Sequence, residues 1–307
     1  MRSSMGRPPI RYRAIYVANI SPPAQPTFMV QAPDLRASLH PGPLDFSFSA
    51  PIVEQKPPMA GMTMAERQIE LPRGSYLMVE FESRALDPNV IRQNASMRVA
   101  EVISLVDLQY PGLVAAKIYE GAINTPGSFV WLPEGPMTLT AAPVRDPETV
   151  ALEVKADFGA IASMTDDTRE RYRLAARWFR RGRETPNRID KLFSWWTVLE
   201  VFPAQGTTNV VARTSAFLHS SLYEHLTLEH VRSNLMLGRI YRVRGEVVHD
   251  GKAFVTPDEE EYFEDQLKRL EATCATCLRL LIGIDPGHDL DEYITPPLSA
   301  TAIASAE

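Results

Sequence analysis

Tyr241-Arg242-Val243-Arg244-Gly245-Glu246-Val247-Val248-His249-Asp250-Gly251 reads as the close of a long helix. Asp250-Gly251 is a C-terminal stop, because glycine accepts the left-handed backbone that ends a helix without steric cost. That helix runs back to Thr227. Downstream, Thr256-Pro257-Asp258-Glu259 is a capping box, and it starts a helix that reaches Ile284 before Asp285-Pro286. Upstream, Asn209 to Tyr223 reads as a third helix. Thr185-Pro186 opens another that ends before Pro203, and Asp167, with Glu170 at N3, caps one running to about Arg181. Residues 161–286 are therefore expected to form an all-α bundle of five helices, and residues 287–307, rich in Ala, Ser and Thr, a loose tail.

Proline separates this bundle from what precedes it. Of 25 prolines, 19 fall in residues 1–160, and only Pro186, Pro203 and Pro257 lie between 161 and 285. Because proline removes a backbone donor, residues 1–160 are expected to hold shorter elements in an α+β domain. Arg11 to Val17, Thr27 to Gln31, Ser75 to Phe81, Leu113 to Tyr119, Ser128 to Leu132 and Val150 to Phe158 read as strands. Asp87-Pro88 opens a helix over Val90 to Leu108, stopped by Pro111-Gly112. Pro33 to Gly61 reads as a long loop or insertion.

Composition sets outer limits. With 45% hydrophobic and 23% charged residues the chain is globular, and no run approaches the length of a membrane span. No membrane association is expected, and the cytoplasm is the expected compartment. Two cysteines, Cys274 and Cys277, give no disulfide framework. A net charge of -6 argues against a surface built for bulk nucleic-acid binding, so any such contact is local.

The motif at 241–251 also carries a resemblance. An Arg followed by four to six residues and a His, ending a long helix in a four-to-five-helix bundle, resembles the HEPN superfamily. Arg173 to Phe179, followed by Lys191-Leu192-Phe193-Ser194-Trp195-Trp196-Thr197-Val198-Leu199-Glu200, looks like its ApeA-like branch. The resemblance covers about Thr168 to Ile284. It implies a metal-independent endoribonuclease, in antiviral defence or toxin-like growth arrest, that works as a homodimer and needs no cofactor. Arg244 and His249 are the implied catalytic pair, with Glu200, Arg242, Tyr241 and Asp250 as possible supports. The sequence departs from the family at Gly245, where a polar residue usually follows the Arg.

The residue types suit that chemistry. Cleavage of RNA by its own 2′-hydroxyl needs proton transfer near neutrality, which histidine performs, and charge stabilisation at phosphate, which an arginine fork provides. Arg244 and His249 are five residues apart, so on an ideal helix they point about 140° apart, whereas Arg242 and His249 nearly share a face. Either the helix is distorted at Gly245 or the site is composite. Glu200 lies in an apolar run and is expected to be buried against an Arg or His, either as a structural ion pair or as a residue that orients the catalytic pair. Trp195 and Trp196, in the same run, read as core.

Nine basic residues between Arg169 and Lys191 face three acidic ones. Arg173, Arg177, Arg180 and Arg181 are candidates to track an RNA backbone; pairing with the acidic helix beyond Asp258 is the alternative. Leu235, Leu237, Ile240, Tyr241 and Val247 offer an apolar strip for an isologous dimer contact. Cys274-Ala275-Thr276-Cys277 lies inside an apolar helix and suits neither zinc nor redox work; His225, Glu229 and His230 lack a fourth ligand. The expectation is a metal-free ribonuclease acting on RNA, with a catalytically inactive nucleotide- or protein-binding module as the alternative.

Overall fold

The computed structural model describes residues 9–56, 59–71, 73–84, 87–110, 114–122, 130–131, 145–203, 206–251 and 256–294. The chain divides into two compact units, Met1–Ala162 and Ser163–Glu307.

The first unit is built on an antiparallel sheet. Its strands are β1 (Ile10–Ala18), β2 (Thr27–Gln31), β3 (Leu35–Pro41), β6 (Ser75–Ser83), β7 (Val114–Ala122) and β8 (Val130–Trp131), in the order β2-β3-β6-β1-β7-β8. The register sets Leu35, Ala37 and Leu39 opposite Phe81, Val79 and Leu77, which in turn face Tyr12, Ala14 and Tyr16 across β1. Period-two alternation brings these residues to one sheet face, and all are buried. Helix α1 (Pro88–Gln109) packs against β6 and β7, started by Asp87, whose side chain accepts from the Asn89 amide at 2.8 Å.

Two expectations for this unit are corrected. Pro33 to Gly61 is not a loop: it contains β3, all of β4 (Leu44–Lys56) and the start of β5 (Met59–Leu71), the last two paired as a separate antiparallel ribbon. In a two-stranded ribbon each strand has an open side, so Pro51 is tolerated where a central strand would reject it. Val150 to Phe158 is not a strand but the middle of helix α2 (Pro147–Ser163). Val150, Val154, Asp157 and Ile161 are buried at helical spacing, and Asp146 caps the start by accepting from the Thr149 amide at 2.8 Å. The strand expected at Ser128 to Leu132 is described only at Val130–Trp131, and Pro111-Gly112 lies outside the described residues.

The second unit is helical. It holds α3 (Asp166–Glu184), α4 (Arg188–Val201), α5 (Val210–Leu222), α6 (Leu228–Leu235), α7 (Leu237–Asp250) and α8 (Pro257–Ile282). Helix α8 packs against α3, α4, α5 and α7. Phe179, Trp196, Phe202, Phe263 and Leu270 are buried in this unit, and removing any such aromatic costs on the order of 3–5 kcal/mol. Helices α3 and α4 approach so closely that a Cβ at Gly182 would stand 2.3 Å from Trp195 Nε1. That indole donates to the Phe179 carbonyl at 3.2 Å, so its ring cannot step aside.

Local boundaries shift from expectation in three places. Thr165, not Asp167, caps α3, and Asn187 caps α4, while Thr185 closes α3. The single helix expected from Thr227 to His249 is broken at Met236, which adopts φ 55°. The break is held from α8, because Arg269 donates to the Asn234 carbonyl at 2.9 Å. Finally, residues 287–294 are not a loose tail. Leu290 and Ile294 are buried, Arg279 binds Asp289 at 2.6 Å, and the Tyr223 hydroxyl donates to Asp291 at 3.0 Å. A composition rich in small residues describes 295–307, which lie outside the described residues; the apolar pair just before them docks for hydrophobic reasons.

Candidate functional site

Helix α7 buries Leu237, Ile240 and Val243 along one stripe, which fixes the direction of everything else on it. Gly251, at φ 62°, ends it, its backbone amide donating a hydrogen bond to the Glu246 carbonyl. The helix is continuous through Gly245, so Arg244 and His249 point about 140° apart and do not converge within one chain.

Arg244 is half-buried against α4. Its Nη2 lies 3.7 Å from Glu200 Oε1, and its guanidinium carbon sits 5.8 Å from the centre of the Phe193 ring. Phe193 and Glu200 are seven residues apart and so share a face of α4. At 3.7 Å the contact is an ion pair without a hydrogen bond. Arg244 Nε is shielded from solvent with no acceptor among the described residues. Glu200 is not buried, contrary to expectation; its side chain is 40% exposed, because it falls at the last turn of α4, beyond the core stripe. It is oriented by Trp196, whose Nε1 donates to the same Oε1 at 2.8 Å. The Tyr241 ring lies over Trp196, with centroids 5.5 Å apart.

The structure thus gathers Phe193, Trp196, Glu200, Tyr241 and Arg244 on one patch. Arg242, His249 and Asp250 are exposed, and their side chains make no hydrogen bond or ion pair among the described residues. Phe193 and Trp196 are the members of the patch that sequence reasoning misses as functional residues, although their spacings of seven and four from Glu200 are readable signals.

The four arginines expected to track RNA lie at positions 173, 177, 180 and 181 of α3, spacings that share one helix face. Arg180 is paired with Glu184 at 2.9 Å, and Arg181 stacks 5.0 Å over Trp178. Farther along, Arg183 binds Glu271 at 2.9 Å and Arg188 binds Glu260 at 3.0 Å, so part of the basic surplus is neutralised by α8. The expected dimer strip is corrected. Leu235, Leu237 and Ile240 are fully buried in the chain's own core, and the exposed apolar residues of α7 are Tyr241 and Val248. Period 3.6 alone does not say which stripe faces inward.

Cys274 and Cys277 are buried, and burial pushes both thiols up, which keeps them protonated and unreactive at neutral pH. Among the described residues no group of His, Cys, Asp and Glu is arranged to hold a metal ion, and no helix is long and apolar enough to cross a membrane. No family model, curated protein or solved structure matches the chain.

Proposed function

We propose that the chain is a metal-independent endoribonuclease of HEPN type, in which Arg244 clamps a phosphate and His249 moves the proton between the 2′-hydroxyl and the leaving 5′-oxygen. The observation that carries this reading is the state of Arg244. It is held in place by the Glu200 charge and the Phe193 ring, yet none of its donors makes a hydrogen bond among the described residues. The Nη edge of the guanidinium is not shut off from solvent as Nε is, and it offers its donors to a phosphate oxygen in a charge-assisted pair. His249 is exposed at the end of the same helix, where a substrate can reach it.

In this reading the site is composite: a homodimer brings His249 of one copy toward Arg244 of the other, with Tyr241 and Val248 as the exposed apolar residues nearest the seam. A defence or growth-arrest role is what the family resemblance implies, with the cytoplasm as the proposed compartment. The second reading, an inactive module that binds a nucleotide or protein, is favoured by one observation, the undistorted helix at Gly245 that keeps the two side chains apart within a chain. Incubation of mixed RNA with the purified protein in EDTA, wild type beside His249→Ala and Arg244→Ala, separates the two. Cleavage lost in both variants supports the enzyme; an inert wild type that still binds RNA supports the module.

A further inference from the structure

The C-terminal end of α4 is gripped by two arginines from different helices. Arg171, on α3, donates from Nε to the Val201 carbonyl and from Nη2 to the Phe202 carbonyl, both at 3.1 Å. Arg213, on α5, donates from Nη2 to the Leu199 carbonyl at 2.7 Å and the Glu200 carbonyl at 3.1 Å. Carbonyls at a helix end need such donors. The grip leaves much of each guanidinium unused. Nη1 of both has no acceptor among the described residues and is not shut off from solvent.

Neither arginine is neutralised. Arg180, Arg183 and Arg188 all pair with carboxylates, but Arg171 and Arg213 make no ion pair among the described residues. Burial and the charge of Arg171 hold Arg213 below the usual arginine pKa, so the two cations feel each other. Both line an open polar pocket of about 460 Å³, together with Thr168, Thr207, Thr208 and Asp167. Like charges with spare planar donors and hydroxyls around a shared space match one ligand chemistry, a tetrahedral oxyanion.

We infer that this pocket is a phosphate-binding site, distinct from Arg244 and His249 and adjoining Arg244 through Glu200, whose carbonyl accepts from Arg213 and whose carboxylate faces Arg244. The inference goes beyond the ribonuclease reading, because it requires only a phosphoryl group. The phosphate comes either from an RNA strand or from a free nucleotide. If it belongs to RNA, the pocket sets the backbone beside Arg244.

The test is titration of the full-length protein with inorganic phosphate at constant ionic strength, followed by calorimetry and thermal melting. Saturable binding that raises the melting temperature is expected in the wild type. Arg213→Gln and Arg171→Gln are each expected to weaken it by roughly tenfold or more. Because these arginines also cap α4, their variants can be less stable on that account alone. Asp167→Asn is the decisive partner: the Asp167 side chain is exposed and makes no hydrogen bond or ion pair among the described residues, and its replacement takes a negative charge from the pocket wall, so phosphate should bind several-fold tighter. Comparison of AMP with adenosine, and of both with a short single-stranded RNA, identifies the source. No phosphate response in the wild type and in Asp167→Asn, or a response unchanged in both arginine variants, overturns the site. Cleavage is read on RNA in His249→Ala and this pocket on inorganic phosphate in the Arg171 and Arg213 variants, so loss of cleavage and loss of this pocket are read separately.

Discussion

Glu200 and Arg244 face each other from α4 and α7 at 3.7 Å, and the carboxylate that approaches the arginine is the one already fixed by Trp196 Nε1 at 2.8 Å. With side chains 40% and 32% exposed, the pair is worth at most about 1 kcal/mol. Its role is therefore orientation rather than stability. Glu200→Gln retains an acceptor for the indole and removes the charge, so the melting temperature should hardly move. In the ribonuclease reading RNA should bind as well or better, because a competing anion is gone. Turnover should fall roughly tenfold to a hundredfold as the guanidinium loses its tether. Steady-state kinetics with KM and kcat separated checks this, and equal loss in both would point to a merely structural pair.

In the ribonuclease reading, Arg244→Ala and His249→Ala should each lower cleavage by about a hundredfold or more, with products ending in a 2′,3′-cyclic phosphate. Arg244→Lys should also be impaired, since an ammonium cannot reproduce the planar fork. Arg242, exposed and uncommitted, is the control. If Arg242→Ala abolishes cleavage while Arg244→Ala spares it, the assignment of the clamp is wrong.

Gly182→Ala should be far more damaging than its size suggests. The new methyl would meet the Trp195 ring, whose nearest three atoms lie within 2.3–2.7 Å of the Cβ position, and that ring is buried and hydrogen-bonded. Overpacking of this kind costs about 1–3 kcal/mol. Urea denaturation of the purified variant reads it directly.

Gly245 behaves in the opposite way. It lies within α7, and nothing stands within 4 Å of the place a methyl group would take, so the helix gains from a side chain there. Gly245→Ala should stabilise the protein by roughly 0.5–1 kcal/mol, and Gly245→Asn, which supplies the polar residue usual in the HEPN superfamily that the motif resembles, should fold normally. Raised cleavage in Gly245→Asn would mark the glycine as the weakness of the site.

Truncation after Pro286 should destabilise the helical unit by about 3 kcal/mol or more relative to truncation after Ile294, because Leu290 and Ile294 leave the core and Arg279 loses Asp289. The difference is pH-dependent. Hydrogen bonding by His288 first, and by Tyr223 as well, holds Asp291 below its ordinary carboxyl value, so its contribution is present above about pH 3.8 and is lost as pH falls through the depressed value. His288 is raised by Asp291, so its contribution is complete below about pH 6.5 and is lost as pH rises through the raised value. Docking should be firmest between those limits, which melting curves of both truncations across pH 3–9 would show.

The elements legible in the amino-acid sequence are those set by neighbours a few residues apart. Thr256 and Glu259 form their reciprocal cap, Gly251 closes α7, and Thr27 to Gln31 is a strand, because each rests on short-range backbone chemistry or a clean period. The contrast between a strand-rich first half and a helical second half belongs with them, since proline acts on its own backbone wherever the chain goes. Tertiary packing decided the rest. Val150 to Phe158 has strand-like residues but buries a helical stripe; Met236 breaks a periodic helix because Arg269 of α8 takes the Asn234 carbonyl; Leu235, Leu237 and Ile240 face inward. The site divides along the same line. Arg244 and His249 are recognisable as residues, but the meeting of Arg244 with Phe193 and Glu200, and of Arg171 with Arg213 around the end of α4, depends on which faces of distant helices touch, and that is set by the burial of the whole core at once.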